Sequence, residues 1–185
     1  MVMKLFFENK VFRFLFLPLL FISCSSDLDF DQARDLKLKP VIVANLAHFD
    51  VPASQLTDDG GTHIAFDTRD FDIFKDKFFT EDLLKAEFDF EIENTINRAF
   101  NVQLLLINAN NETVDTISFP VPAYTGSPNV IKYPTEVFEN QRLELLKQTV
   151  KIGFVLIIAA GPPLDENSTG NIKLKSGGTA YLEIE

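Results

Sequence analysis

The chain has two histidines, His48 and His63, and one cysteine, Cys24. In Ala-His48-Phe-Asp50 and Gly-Thr-His63-Ile the two imidazoles could join a zinc centre, which needs three or four ligands held tetrahedrally. Asp50, Asp58 or Asp59 would have to complete the set through converging loops, so the expectation is no metal. Asp27, Asp29 and Asp31 alternate as calcium ligands can, yet the glycine and distal glutamate of a calcium loop are missing. Nucleophilic chemistry is no better served: no Gly-x-Ser-x-Gly elbow is present, and no serine has a histidine at a suggestive spacing. Gly60-Gly61 and Gly177-Gly178 read as hairpin turns rather than phosphate loops.

Carboxylates are the remaining candidates. Glu87, Asp89, Glu91 and Glu93 alternate along one segment, a spacing that reads as a solvated charged face rather than the paired acid and base of a glycosidase. Tryptophan is absent and the tyrosines are three, Tyr124, Tyr133 and Tyr181, so the usual flat platform for stacking sugars is missing. The residues therefore predict a protein that is not an enzyme and takes no cofactor. Its net charge of -10 also excludes polyanion partners such as nucleic acid, which demand basic patches. A single cysteine excludes a disulfide within the chain.

The basic residues that do occur near the start have a job. Lys4, Lys10 and Arg13 precede an apolar run from Phe14 to Ile22, followed by Ser23-Cys24, which is the grammar of an export signal. The run is far shorter than the roughly 20 residues a spanning helix needs, and Pro18 interrupts it. Phe21-Ile-Ser-Cys24 resembles the lipobox of bacterial lipoproteins, with Phe21 in place of the usual leucine. That resemblance implies removal of residues 1–23, acylation of Cys24 and attachment to a membrane through the lipid. Each buried methylene adds about 0.8 kcal/mol, so two or three acyl chains hold a protein almost permanently. The acidic stretch after the cysteine, Ser25-Ser-Asp-Leu-Asp-Phe-Asp31, resembles the export signals of outer-membrane lipoproteins of the Bacteroidota. The implied organisation is a signal peptide over 1–23, an acidic tether over 24–39 and a domain over 40–185.

From Pro40 onward, short apolar runs alternate with turn residues and no long amphipathic helix intervenes, which predicts an all-β fold, an immunoglobulin-like antiparallel β-sandwich. Strands are expected at 41–47, 62–67, 86–93, 99–107, 113–119, 149–159, 171–175 and 179–185, with an extended edge segment over 130–138. Segments 86–93, 99–107 and 113–119 read as a three-stranded meander. Their first two strands, with the Asn-centred turn between them, resemble the B–C hairpin of immunoglobulin-like bacterial modules. Phe71 to Phe74 reads as a short edge segment, Thr80 as the cap of a helical turn, and Asn140 as the cap of one short helix near 141–148 whose Leu145 and Leu146 close one end of the sandwich. Thr149 to Ala159 is so apolar that it must be central.

Two further features bear on partners. Phe71, Phe74, Phe78 and Phe79 mix with charged residues without clean periodicity, which suits either a loop that caps the core or an apolar docking patch with a charged rim. Asp115-Thr116-Ile117 resembles the O-glycosylation motif of Bacteroidota envelope proteins, which would make Thr116 the acceptor. The reading favoured is a lipid-anchored interaction or assembly module beside an envelope protein. A small-ligand or glycan-binding lipoprotein serving nutrient uptake is the alternative, and a hydrolase using loop carboxylates the third.

Overall fold

Phe88, Phe90 and Ile92 alternate with the four acids of 87–93, and a strand sends successive side chains to opposite faces. The computed structural model describes residues 37–56, 63–127 and 129–184, excepting the side chains of 63–66 and 129, and it places the apolar set in the core. The strands among the described residues are β1 (Val41–Pro52), β2 (His63–Asp70), β3 (Leu83–Asn94), β4 (Phe100–Asn108), β5 (Thr113–Val121), β6 (Asn129–Lys132), β7 (Glu136–Phe138), β8 (Thr149–Ile158) and β9 (Asn171–Leu182). Two short helices join them, α1 (Lys77–Glu81) and α2 (Asn140–Lys147).

The strands pair antiparallel in two sheets. One runs β1-β9-β3 and then the interrupted edge of β6 and β7; the other runs β2-β8-β4-β5. An all-β sandwich with a short helix before β8 is what the sequence predicts, and β8, flanked by β2 and β4, is central as expected. The order within the sheets is finer information. An immunoglobulin-like sandwich pairs its first strand with its second, whereas here the first strand lies beside the last and the chain crosses between sheets after β1, β2, β3, β5, β7 and β8. Two layers connected in this way, the first with its fourth position split between β6 and β7, make a jelly roll.

That connectivity corrects several local expectations. Segments β3, β4 and β5 are not a meander: β4 and β5 pair, but β3 belongs to the opposite sheet. Gly177-Gly178 is not a hairpin turn, because β9 runs through both glycines with β1 on one side and β3 on the other. The segment at Phe71 forms a 3-10 turn (Asp72–Lys75) instead of an edge strand. The first helix is capped by Asp76, whose carboxylate accepts from the Phe78 N–H, while Thr80 Oγ1 donates back to the Lys77 carbonyl. Asn140 caps nothing: it is the first helical residue of α2, at φ 51°. Leu143 and Leu146, rather than Leu145 and Leu146, are the buried leucines of α2.

Rings cross between the sheets to make the core. Phe90 of β3 meets Phe119 of β5 with centroids 4.6 Å apart, and Phe49 of β1 meets Phe154 of β8 edge-on at 5.9 Å. Arg142 ties α2 to the sandwich, donating to Asp115 on β5 at 2.9 Å and pairing with Glu136 on β7 at 2.7 Å over the ring of Phe138. Burial alone would lower its pKa; those two carboxylates outweigh it and hold it above the ordinary value. At the start of the described chain, Leu38 bridges Ile184 and both Lys37 and Lys39 pair with Glu183, so these residues already lie against the sandwich.

Candidate functional site

The acidic row on β3 is the clearest chemical feature in the sequence, and the structure sets lysines beside three of its four acids. Antiparallel register sets Lys175 opposite Glu91 and Lys173 opposite Glu93 on β9, with Lys132 of β6 opposite Glu91 on the other side. The ammonium groups lie 3.6 Å (Lys175) and 3.7 Å (Lys132) from Glu91, and Lys173 lies 4.0 Å from Glu93. Glu87 accepts from Tyr181 at 2.8 Å and pairs with Lys85 at 2.6 Å. Hydrogen bonding from Lys85, then from Tyr181, holds the Glu87 pKa below the ordinary carboxylate range. The expected solvated row of like charges is thus a lattice of alternating signs, invisible until strand neighbours are known.

Where the lattice reaches the middle of β9 it loses its central side chain. Gly177 stands between Asn45 of β1 and Asp89 of β3, and the result is an open depression of about 440 Å³. Asn45, Asp89, Glu91, Lys132, Tyr133 and Lys175 line it. Asp89 accepts from Thr135 at 2.5 Å, and the Tyr133 hydroxyl is turned away, donating to the Pro120 carbonyl at 2.8 Å. Burial raises the pKa of Tyr133 above its ordinary value. The lining therefore offers carboxylate and amide acceptors beside ammonium donors at its rim, while most of its exposed wall is apolar and includes Phe90 and Tyr133. The sequence reading missed this place because it took Gly177 for a turn.

The other candidates are scattered. His48 stands on β1 at the rim of a narrower apolar cleft of about 150 Å³ beneath Phe49, Leu56 and Phe154. Asp50 is engaged elsewhere, accepting from the Asn171 amide at 2.6 Å, with Lys173 at 3.8 Å. Among the described residues no three His, Cys, Asp or Glu side chains converge as metal ligands. Asp58 and Asp59 lie outside the described residues, as do Cys24, Asp27, Asp29, Asp31 and the Gly60-Gly61 pair. So does the side chain of His63.

Phe71, Phe74, Phe78 and Phe79 are all half-buried and packed against the core. They pair edge-on, Phe71 with Phe74 at 5.6 Å and Phe78 with Phe79 at 5.3 Å. Phe71, Phe74 and Phe79 close over Leu46, Leu83 and Phe88, leaving an apolar void of about 50 Å³ beneath. Thr116 is exposed on β5, at the edge of its sheet, its N–H donating to Asp115 at 2.8 Å.

A second polar centre went unnoticed in the sequence. Arg98, in the turn between β3 and β4, is 1% exposed. Its guanidinium donates to the carbonyls of Ala159, at 2.9 Å from Nε, and of Pro162. Asn94 beside it donates to the carbonyls of Arg98 and Pro122 and accepts from the Ile96 N–H. Lone arginines in neutral turns are mostly solvated, so composition carried no signal of this burial. It locks one end of the sandwich and presents nothing to solvent.

No protein-family model matches the chain, and none of the curated proteins compared with it does. Solved structures resemble its fold. One is the VP2 subviral particle of infectious bursal disease virus, at 14% identity and TM-score 0.41 over 80% of this chain and 33% of that one. Another is a protein of Parabacteroides distasonis described as secreted, at 15% identity and TM-score 0.43 over 64% and 38%. A third is desmodium yellow mottle tymovirus, at 13% identity and TM-score 0.30 over 80% and 90%. The chain spans about a third of the length of the bursal disease virus chains it matches. These likenesses concern fold and carry nothing about activity. Among the described residues no helix is long and apolar enough to cross a membrane.

Proposed function

We propose that the chain is an outer-membrane lipoprotein, held by acyl chains on Cys24, whose β-sandwich acts without catalysis as an interaction or assembly module beside an envelope protein. The observation that carries this reading is the succession of a basic head, the apolar run Phe14 to Ile22, Ser23-Cys24 and the acids Asp27, Asp29 and Asp31. Residues 25–36 extend at most about 3.5 Å each, so a sandwich tethered through them stays within roughly 40 Å of the lipid surface. Confinement of that kind raises the effective concentration of a membrane-embedded partner without demanding high intrinsic affinity. In the same reading Thr116 is an acceptor for O-glycosylation, checked by the mass of its tryptic peptide from the native host.

The test is intact mass and membrane fractionation of the wild type and Cys24→Ala in a host of the native kind. The expected outcome is a wild type carrying the acyl mass in the membrane pellet and a variant in the soluble fraction. Two soluble proteins cut elsewhere would overturn the anchor. Retention of a defined envelope protein by the solubilised wild type supports the assembly role. A second reading, a ligand-binding lipoprotein, is favoured by the depression with a charged rim at Gly177.

A further inference from the structure

Glycine weakens a strand interior, because it loses the most freedom on folding and packs no side chain, so its presence there calls for a cause. β9 carries two in succession, and the structure supplies a cause for one. A Cβ on Gly178 would come within 3.0 Å of the Leu46 side chain, where β1 bulges. Gly177 has no such neighbour: a Cβ there would meet only the Ala44 carbonyl oxygen, at 3.9 Å. Nor is its backbone among the positive-φ glycines. Among the described residues neither packing nor conformation requires a glycine at 177, and what it does create is the floor of the 440 Å³ depression.

The chemistry of the walls limits what could approach that floor. Asp89 and Glu91 are balanced by Lys132 and Lys175, a locally neutral set in a chain of net charge -10. A neutral set favours neither an anion nor a metal cation, and a rim of carboxylate, amide and ammonium around a partly apolar wall suits a ligand with both hydroxyls and C–H faces better than a lipid chain. Both lysines sit beyond 3.5 Å from Glu91, so donors and acceptors there keep capacity for a further partner. Carboxylates accept from neighbouring hydroxyls and ammonium groups donate to them, and the volume falls within the range of small-molecule sites.

We infer that the depression over Gly177 binds a neutral polyhydroxylated ligand, a saccharide, with Asn45, Asp89, Glu91, Lys132 and Lys175 as its hydrogen-bonding walls. This gives the second reading above a site and a ligand class, and it does not depend on acylation of Cys24. The experiment is calorimetric titration of the full-length protein with a panel of hexoses, N-acetylhexosamines and their short oligomers. Native protein, Cys24→Ala, Gly177→Val and Asp89→Asn are compared, with the melting temperature of each recorded. At least one saccharide should bind native protein and Cys24→Ala equally. Gly177→Val should weaken it more than tenfold while melting at or above the native temperature, and Asp89→Asn should weaken it measurably. Binding to native protein by no member of the panel overturns the inference, as does Gly177→Val binding within twofold of native. A Gly177→Val variant that melts well below native would show the glycine to be structural and likewise overturn it. Loss of membrane attachment in Cys24→Ala with binding retained separates this site from the anchor.

Discussion

Arg98 shows how far a residue's role depends on neighbours that sequence order does not name. It sits four residues beyond Asn94 in the turn Asn94-Thr-Ile-Asn-Arg98, and its partners Ala159 and Pro162 are some sixty positions away. A buried carbonyl deprived of its donor costs about 1–3 kcal/mol. Arg98→Met is therefore expected to lower unfolding stability by about 3 kcal/mol, measured by urea denaturation with an unchanged m-value. A change within half a kcal/mol would show that the carbonyls find other donors. Gly161 packs against the same side chain, its Cβ position lying 2.7 Å from Arg98 Cδ. Nothing in the local pattern Gly-Pro-Pro points to that contact, which arises only when the loop after β8 folds over the turn after β3.

At the scale of elements, alternation was the informative signal. It placed Phe88, Phe90 and Ile92 inward before any neighbour was known, and the continuous apolar run of β8 marked a strand covered on both sides. The same logic failed at β9, where Ser176-Gly177-Gly178 has the composition of a tight turn but is held straight by strands on both flanks. Its two glycines should respond differently to a larger side chain. Gly178→Val drives a branched side chain into Leu46 and is expected to cost about 1–3 kcal/mol through overpacking. Gly177→Val adds a β-branched residue over open space and should be neutral or stabilising. Thermal melts of the two variants side by side check this, and equal losses would refute the packing account. The phenylalanines of 71–79 follow the same lesson: without clean periodicity they could be cap or patch, and the turn at Asp72–Lys75 lays them half-buried against the core.

For the whole molecule, the two ends of the described chain meet at one charged contact. Hydrogen bonding from Lys39, then Lys37, holds the Glu183 pKa below its ordinary 4.5, as Lys85 and Tyr181 do for Glu87. A carboxylate with a depressed folded pKa adds stability that is fully present above its unfolded value and is lost as pH falls through the folded one. Stability should therefore decline on acidification below about 4.5, the ordinary value. The double variant Glu87→Gln, Glu183→Gln should decline less steeply in melts across that range; parallel curves would count against the ion pairs. Both groups lie at the surface and are partly exposed, so screening by salt should shrink the difference. The all-β sandwich, the buried face of β3, the central position of β8 and the short helix before it follow from the sequence alone, because periodicity and turn residues act over a few positions. The jelly-roll order, the lysines that meet Glu91 and Glu93 of β3, the burial of Arg98 and the open floor at Gly177 were settled by tertiary structure. Each is a relation between strands far apart in the chain, and side-chain alternation specifies which face is buried without specifying which strand lies alongside.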